Sequence, residues 1–146
     1  MRTLGAWVDS GSVTHYQVIV YLAYVVAGVQ SLLLGAPPNA VAQAMGPAIA
    51  LLWTVLVIAC PLTSLFGMWQ DRRPSSLWFQ LAGDSGVTFA TAAYVAAVFS
   101  STWFERATFA AWMAASITVC GALMTWRDIR RIQMVGRVVR ERESDE

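Results

Sequence analysis

The residue with the most chemistry to offer is Asp84, a carboxylate inside the otherwise apolar stretch WFQLAGDSGVTFATAAYVAAVFS. Gln80, Thr88 and Thr91 recur around it at helical spacing, so the four side chains form one polar stripe on a helix. Two kinds of chemistry fit such a stripe. It can line a pore, or a proton or ion path; or it can hydrogen-bond between helices, with Asp84 paired to Arg72 or Arg73. An ionised Asp at the centre of a membrane helix costs about 2.5–3.5 kcal/mol on insertion scales. Asp84 lies six residues past Trp78, about 9 Å along a helix at 1.5 Å per residue, shallow enough for water or an arginine to reach it.

The remaining reactive side chains are sparse. His15 is the single histidine and sits where the first apolar run begins; it reads as a wetted anchor, with no second histidine to complete a metal site. Cys60 and Cys120 each lie inside an apolar run and read as small hydrophobes packed between helices. No glycine-rich phosphate loop follows a strand, and no strand is predicted. One acid at depth does not make the paired carboxylates an intramembrane protease would need. The expectation is a protein that is not an enzyme, without catalytic residues, cofactor or metal. Net charge is +1 and no aromatic residue interleaves with the C-terminal arginines, so no nucleic-acid partner is expected.

The elements that must carry these residues are set by hydropathy. Of the 146 residues 57% are hydrophobic and 13% charged, half of the roughly 25% charge typical of a soluble domain. Four runs reach the ~20 apolar residues that a spanning helix needs: 15–34, 46–69, 78–100 and 104–126. GAPPNAVAQA, QDRRPSSL and a tight SSTW turn separate them. Spans one, two and four lack the polar face of a soluble helix. The fold class predicted is all-α, an integral membrane four-helix protein with segments 1–14, 15–126 and 127–146. Segment 1–14 lacks the features of a cleaved signal peptide. With four spans, Arg2, Arg72, Arg73, Arg127, Arg130, Arg131, Arg137, Arg140 and Arg142 fall on one side and Arg106 alone on the other. The positive-inside rule then predicts N-in and C-in, a multi-pass protein of the cytoplasmic (inner) membrane. Trp69, Trp78 and Trp126 fall at the same interface, where indole rings settle.

Packing signals are of three kinds. Gly86, Ala90 and Ala93 on span three, and Ala111, Ala115 and Thr118 on span four, are small residues at helical spacing. They predict a close hairpin of these two spans and homo-oligomerisation. Gln17, Tyr21, Tyr24, Gly28 and Ser31 share a face of span one, suited to packing or to an aqueous lining. Pro61 predicts a kink in span two. After Trp126 the tail RDIRRIQMVGRVVRERESDE predicts a short cytoplasmic amphipathic helix. Arg127, Arg130, Arg131 and Arg137 would meet the anionic membrane surface, either on that helix or on span four continuing outward.

All ten basic residues are arginine, and Ala, Gly and Val abound, as in a high-GC actinobacterial host or its phages. With the close spans, the stretch Trp78-Phe79-Gln80-Leu81-Ala82-Gly83-Asp84 and the charged tail, the layout resembles small four-span membrane proteins of actinobacterial phages, often encoded beside endolysins. The resemblance implies holin-like action: accumulation in the inner membrane, oligomerisation and timed permeabilisation for lysis. The competing expectations are a membrane-embedded binding or superinfection-exclusion protein, and an accessory subunit of a larger membrane complex. The partners expected are the lipid bilayer, further copies of the chain and other membrane proteins.

Overall fold

The computed structural model describes residues 11–35, 38–70, 75–100 and 108–144. Four helices account for nearly all of them: α1 Gly11–Leu34, α2 Asn39–Trp69, α3 Ser76–Ser100 and α4 Thr108–Ser144. Each is long and apolar enough to cross a bilayer. Lipid offers no partner to a backbone N–H or C=O, so helices that satisfy their own backbone are the economical way to bury such runs. The positions of Arg2, Arg72, Arg73, Trp103 and Arg106 lie outside the described residues.

The helix ends are built locally. Gly35 takes a left-handed φ of 60° and donates to the Leu32 carbonyl, a glycine stop to α1. Gln70 closes α2 by donating to the carbonyls of Phe66 and Gly67. Ser75 starts α3 by accepting from the Trp78 and Phe79 amides.

The backbone of α2 breaks from helical torsions at Gly46 (φ 75°, ψ 168°), while Pro61 lies buried further along the helix. Only glycine reaches that φ without strain. Pro47 follows at the first helical position, where a missing N–H costs nothing. A short piece, 39–45, therefore precedes a spanning piece, 47–69.

A correction concerns the tail. No separate C-terminal helix forms; α4 runs unbroken to Ser144. The 18 residues after Trp126 extend it by about 27 Å.

The bundle has an inside-out composition. Small apolar residues such as Ala50, Val87, Ala90 and Ala111 are buried with Thr54, Ser64, Gln80 and Asp84. Large apolar side chains point outward, with Leu33 and Trp69 each 82% exposed. Such a surface would aggregate in water and is compatible with a multi-pass membrane protein. Trp69, Trp78 and Trp126 are exposed near the helix ends where α2 stops, α3 starts and α4 leaves the apolar run. These three indoles mark the near end of the bundle.

Extensive packing is confined to helices adjacent in sequence, α1 on α2, α2 on α3 and α3 on α4. Glycines set the distances. A Cβ on Gly83 would lie 2.5 Å from the Ser64 amide nitrogen and 2.7 Å from the Cys60 carbonyl oxygen. Gly67 faces the α3 backbone at Ser76 and Gln80, and Gly28 of α1 faces Ile58. Gly86 meets the Cys60 side chain. It therefore serves the α2–α3 contact rather than the α3–α4 hairpin its spacing suggests. In that hairpin Gly121 packs on Thr88, and Ala111 is buried.

Gly83→Ala is expected to destabilise the bundle by about 1–3 kcal/mol, the usual cost of overpacking. Gly136→Ala, on the open face of α4, should be neutral or stabilising by up to about 1 kcal/mol. Unfolding of the two variants in mixed micelles measures both; equal stabilities would contradict the close α2–α3 contact.

Candidate functional site

Asp84 lies two turns into α3, beside the close α2–α3 approach at Gly83, and its side chain is fully buried. All four helices converge on it. Tyr21 of α1 donates its hydroxyl to Oδ1 at 2.8 Å, and Ser64 of α2 donates a short hydrogen bond to the same oxygen. Gln17 of α1 donates to Oδ2 at 2.9 Å. Arg127 of α4 brings a guanidinium nitrogen to 3.9 Å from Oδ2.

Arg127 is 5% exposed and holds more than Asp84. Its Nε donates to Asp128 Oδ1 at 3.1 Å, and its terminal nitrogen donates to Gln17 Oε1 at 3.4 Å. Gln17 thus spends its amide in two directions, donating to the carboxylate and accepting from the guanidinium. The result is an Asp84–Arg127–Asp128 arrangement at the near end, buried and cross-linked to α1. Asp128 Oδ2 finds no hydrogen-bond partner among the described residues.

The arginine beside Asp84 changes one expectation. Asp84 is answered by Arg127, whereas Arg72 and Arg73 lie outside the described residues. Arg127 in turn is not a membrane-surface residue. It turns into the bundle because a buried carboxylate attracts the nearest guanidinium that can reach it. Further along the tail, Arg130 stacks 4.9 Å from the Trp126 ring, Arg131 is half-buried, and Arg137 and Arg140 are exposed.

The rest of the stripe turns back on its own helix. Thr88 donates to the Asp84 carbonyl at 2.7 Å, with Thr125 of α4 3.5 Å away. Thr91 donates to the Val87 and Thr88 carbonyls, and Gln80 to Ser76 Oγ at 3.2 Å. These side chains are buried or half-buried between helices, so the stripe lines no open channel in this form. Ala90, Ala93, Ala115 and Thr118 are buried or half-buried as well. Toward the other end Trp53 donates to the Ala90 carbonyl at 2.9 Å and stacks on Tyr94.

Ser64, Arg127 and Asp128 were not legible as members of the site. The serine is one of three hydroxyl residues, with Thr54 and Thr63, in an apolar run, and the last two follow Trp126 in what reads as the tail. Gln17 and Tyr21 did share a marked face. Cys120, expected between helices, is exposed. No group of three His, Cys, Asp or Glu side chains converges as a metal site among the described residues.

The chemistry available is therefore hydrogen bonding and charge pairing across four helices. The chain matches no known protein family, no curated protein and no solved structure.

Breaking a buried charge pair from one side typically costs about 3–5 kcal/mol, and such losses are expected for Asp84→Ala and for Arg127→Ala. The double variant should lose less than the sum, by about 0.5–3 kcal/mol. A double-mutant cycle from unfolding in mixed micelles checks this; strictly additive losses would show that the two side chains do not act together.

Proposed function

We propose that this is a holin-like protein of a bacterial cytoplasmic membrane, oriented N-in and C-in, that oligomerises and permeabilises the membrane for lysis. The observation that carries this reading is the seam between α1 and α4. That seam is not built from extensively packed helix surfaces; Gln17, Asp84 and Arg127 bridge it with side chains. A seam held by a few polar contacts can open at far lower cost than a packed one. Opening it exposes Gln17, Tyr21, Asp84, Arg127 and Asp128 together, and these groups would favour water over lipid. In this reading the node is a latch. Closed, it keeps the polar groups satisfied and the bundle inert; open, it supplies the wetted surface around which copies assemble.

Orientation is supported by charge. With Arg127 turned into the bundle, eight arginines remain for the near side against Arg106 on the other, still a one-sided distribution. A second reading, a binding or exclusion module, is favoured by the far part of α4. Met134 and Val135 are exposed apolar residues on the extension of α4 past Trp126, a surface suited to a protein partner.

Induced expression in an actinobacterial host separates the two. The wild-type chain should collapse membrane potential and admit dye after a delay. Asp84→Ala, at equal membrane insertion, should shorten that delay. Undisturbed potential with resistance to incoming phage would instead establish the exclusion reading.

Topology is tested separately. A reporter fused after Glu146 should read cytoplasmic and one inserted between residues 36 and 37 external; an external C-terminus would overturn the orientation.

A further inference from the structure

Two carboxylates, Asp84 and Asp128, share one guanidinium, Arg127, inside the bundle. Asp84 is fully answered as an anion, by the hydroxyls of Tyr21 and Ser64, the amide of Gln17 and the charge of Arg127. Asp128 is answered on one oxygen only. Its Oδ1 accepts from Arg127 Nε at 3.1 Å. Its Oδ2, on a side chain 0% exposed, meets no hydrogen-bond partner among the described residues. We propose that Asp128 Oδ2 is a proton-binding site, occupied while the α1–α4 seam is closed and emptied as the seam opens. This rests on the reading of the node as a latch and names the signal to which that latch responds.

Charge balance calls for one proton. With both acids ionised, the three buried side chains carry two negative charges against one positive. A buried charge without full compensation is neutralised by taking up or losing a proton. A proton on one acid leaves a carboxylate and a guanidinium, a neutral pair. The groups facing Asp128 can be named helix by helix. Tyr21 comes from α1, Asp84 from α3, and Arg127 and Arg131 from α4. The contribution of α2 to the node is the uncharged Ser64. Arg131 is half-buried, so solvent shares its field and it offsets only part of the excess.

Hydrogen bonding chooses between the two acids. Both oxygens of Asp84 already receive donors, so a proton there would have to displace one of them. No donor is aimed at Asp128 Oδ2, and a proton can settle on it without displacing anything. The hydroxyl so formed costs far less to bury than an unmet negative charge. A divalent cation is a poorer fit. Calcium or magnesium takes about six oxygen ligands, and no group of three His, Cys, Asp or Glu side chains converges among the described residues. A proton needs one oxygen.

The site is coupled to the seam through Arg127. That one side chain holds Asp128 by Nε and reaches Gln17 of α1 by its terminal nitrogen. When α1 leaves, water reaches Asp128, which then binds protons no more tightly than an ordinary aspartate. The closed form therefore carries the proton in conditions where the open form has lost it. Linkage gives the sign: closure is most stable in acid and weakens as pH rises, until the closed form too has lost its proton. One proton changes the closed-to-open ratio by up to about tenfold per pH unit.

The test uses the full-length protein in liposomes, titrated from about pH 4 to pH 8. Infrared spectra of wild type minus Asp128→Asn should show the C=O stretch of one protonated carboxyl, fading as pH rises. Asp128→Ala serves for the subtraction if the asparagine variant folds poorly. In a cysteine-free background, spin labels at the exposed Ala27 and Val119 follow the α1–α4 distance. Wild type should pass from a short to a longer distance with rising pH, by up to about tenfold in the ratio per pH unit. Asp128→Asn, a mimic of the protonated acid, should stay short throughout. No carboxyl band specific to wild type, or the same pH response in Asp128→Asn, would overturn the proposal. So would distances that follow sodium at constant pH, which would assign Oδ2 to a metal cation. Dye leakage from the same liposomes separates this from the reading it rests on. A pH-driven change of distance without leakage supports the proton site and counts against permeabilisation; leakage with distances indifferent to pH overturns the proton site and leaves permeabilisation standing.

Discussion

A carboxylate placed among lipid-spanning helices has to be satisfied by the protein that carries it, because hydrocarbon offers it nothing. Asp84 meets that constraint by drawing a partner from each of the other three helices: hydrogen bonds from Tyr21 and Gln17 of α1 and Ser64 of α2, and the charge of Arg127 from α4. The local packing follows from the same demand. Ser64 reaches the carboxylate only because α2 and α3 approach closely, and Gly83, the residue before Asp84, permits that approach. Asp128 is buried in turn because it shares Arg127.

Lipid on the outside explains why so little else is needed. With no hydrophobic force pulling helices together in a bilayer, close fit and polar contacts have to hold them. Glycines 28, 67, 83, 86 and 121 bring the helices within reach, and alanine and valine fill the remaining core. Serine and threonine hydroxyls that have no cross-helix role return to carbonyls three or four residues back, as Thr54, Thr63 and Ser116 do. The near end is thus held by charge and hydrogen bonds, the other by Trp53, Tyr94 and the Ala90 carbonyl. The α1–α4 seam relies on side chains, and the node lies along it.

Much of the scaffold was legible in the sequence because span length and apolar content are direct consequences of bilayer thickness. Gly46, chosen as the start of the second span, is where the chain bends before its spanning piece. Asp84 stood out as an acid at depth, and the α1 face of Gln17, Tyr21 and Gly28 is buried. Its partner was not legible, because a charge count assigns an arginine after Trp126 to the aqueous side, and only the antiparallel return of α4 brings it beside α3. Gly86 was misassigned between neighbours for a related reason. Helical spacing shows that a face is small without showing which helix it meets. The single helix through the tail was ambiguous because Ile129, Ile132 and Val135 suit an interfacial helix as well as a continuing one.

The central claim is that the Asp84 node, rather than helix packing, holds α1 against α4. Spin labels at Ala27 and Val119, both exposed and clear of the node, would report the α1–α4 separation by pulsed electron resonance in lipid, once Cys60 and Cys120 have been replaced by serine. The wild-type background should give one narrow distance distribution, and Asp84→Ala a broader one displaced to longer distances. Identical distributions in the two proteins, both inserted and folded, would contradict the claim.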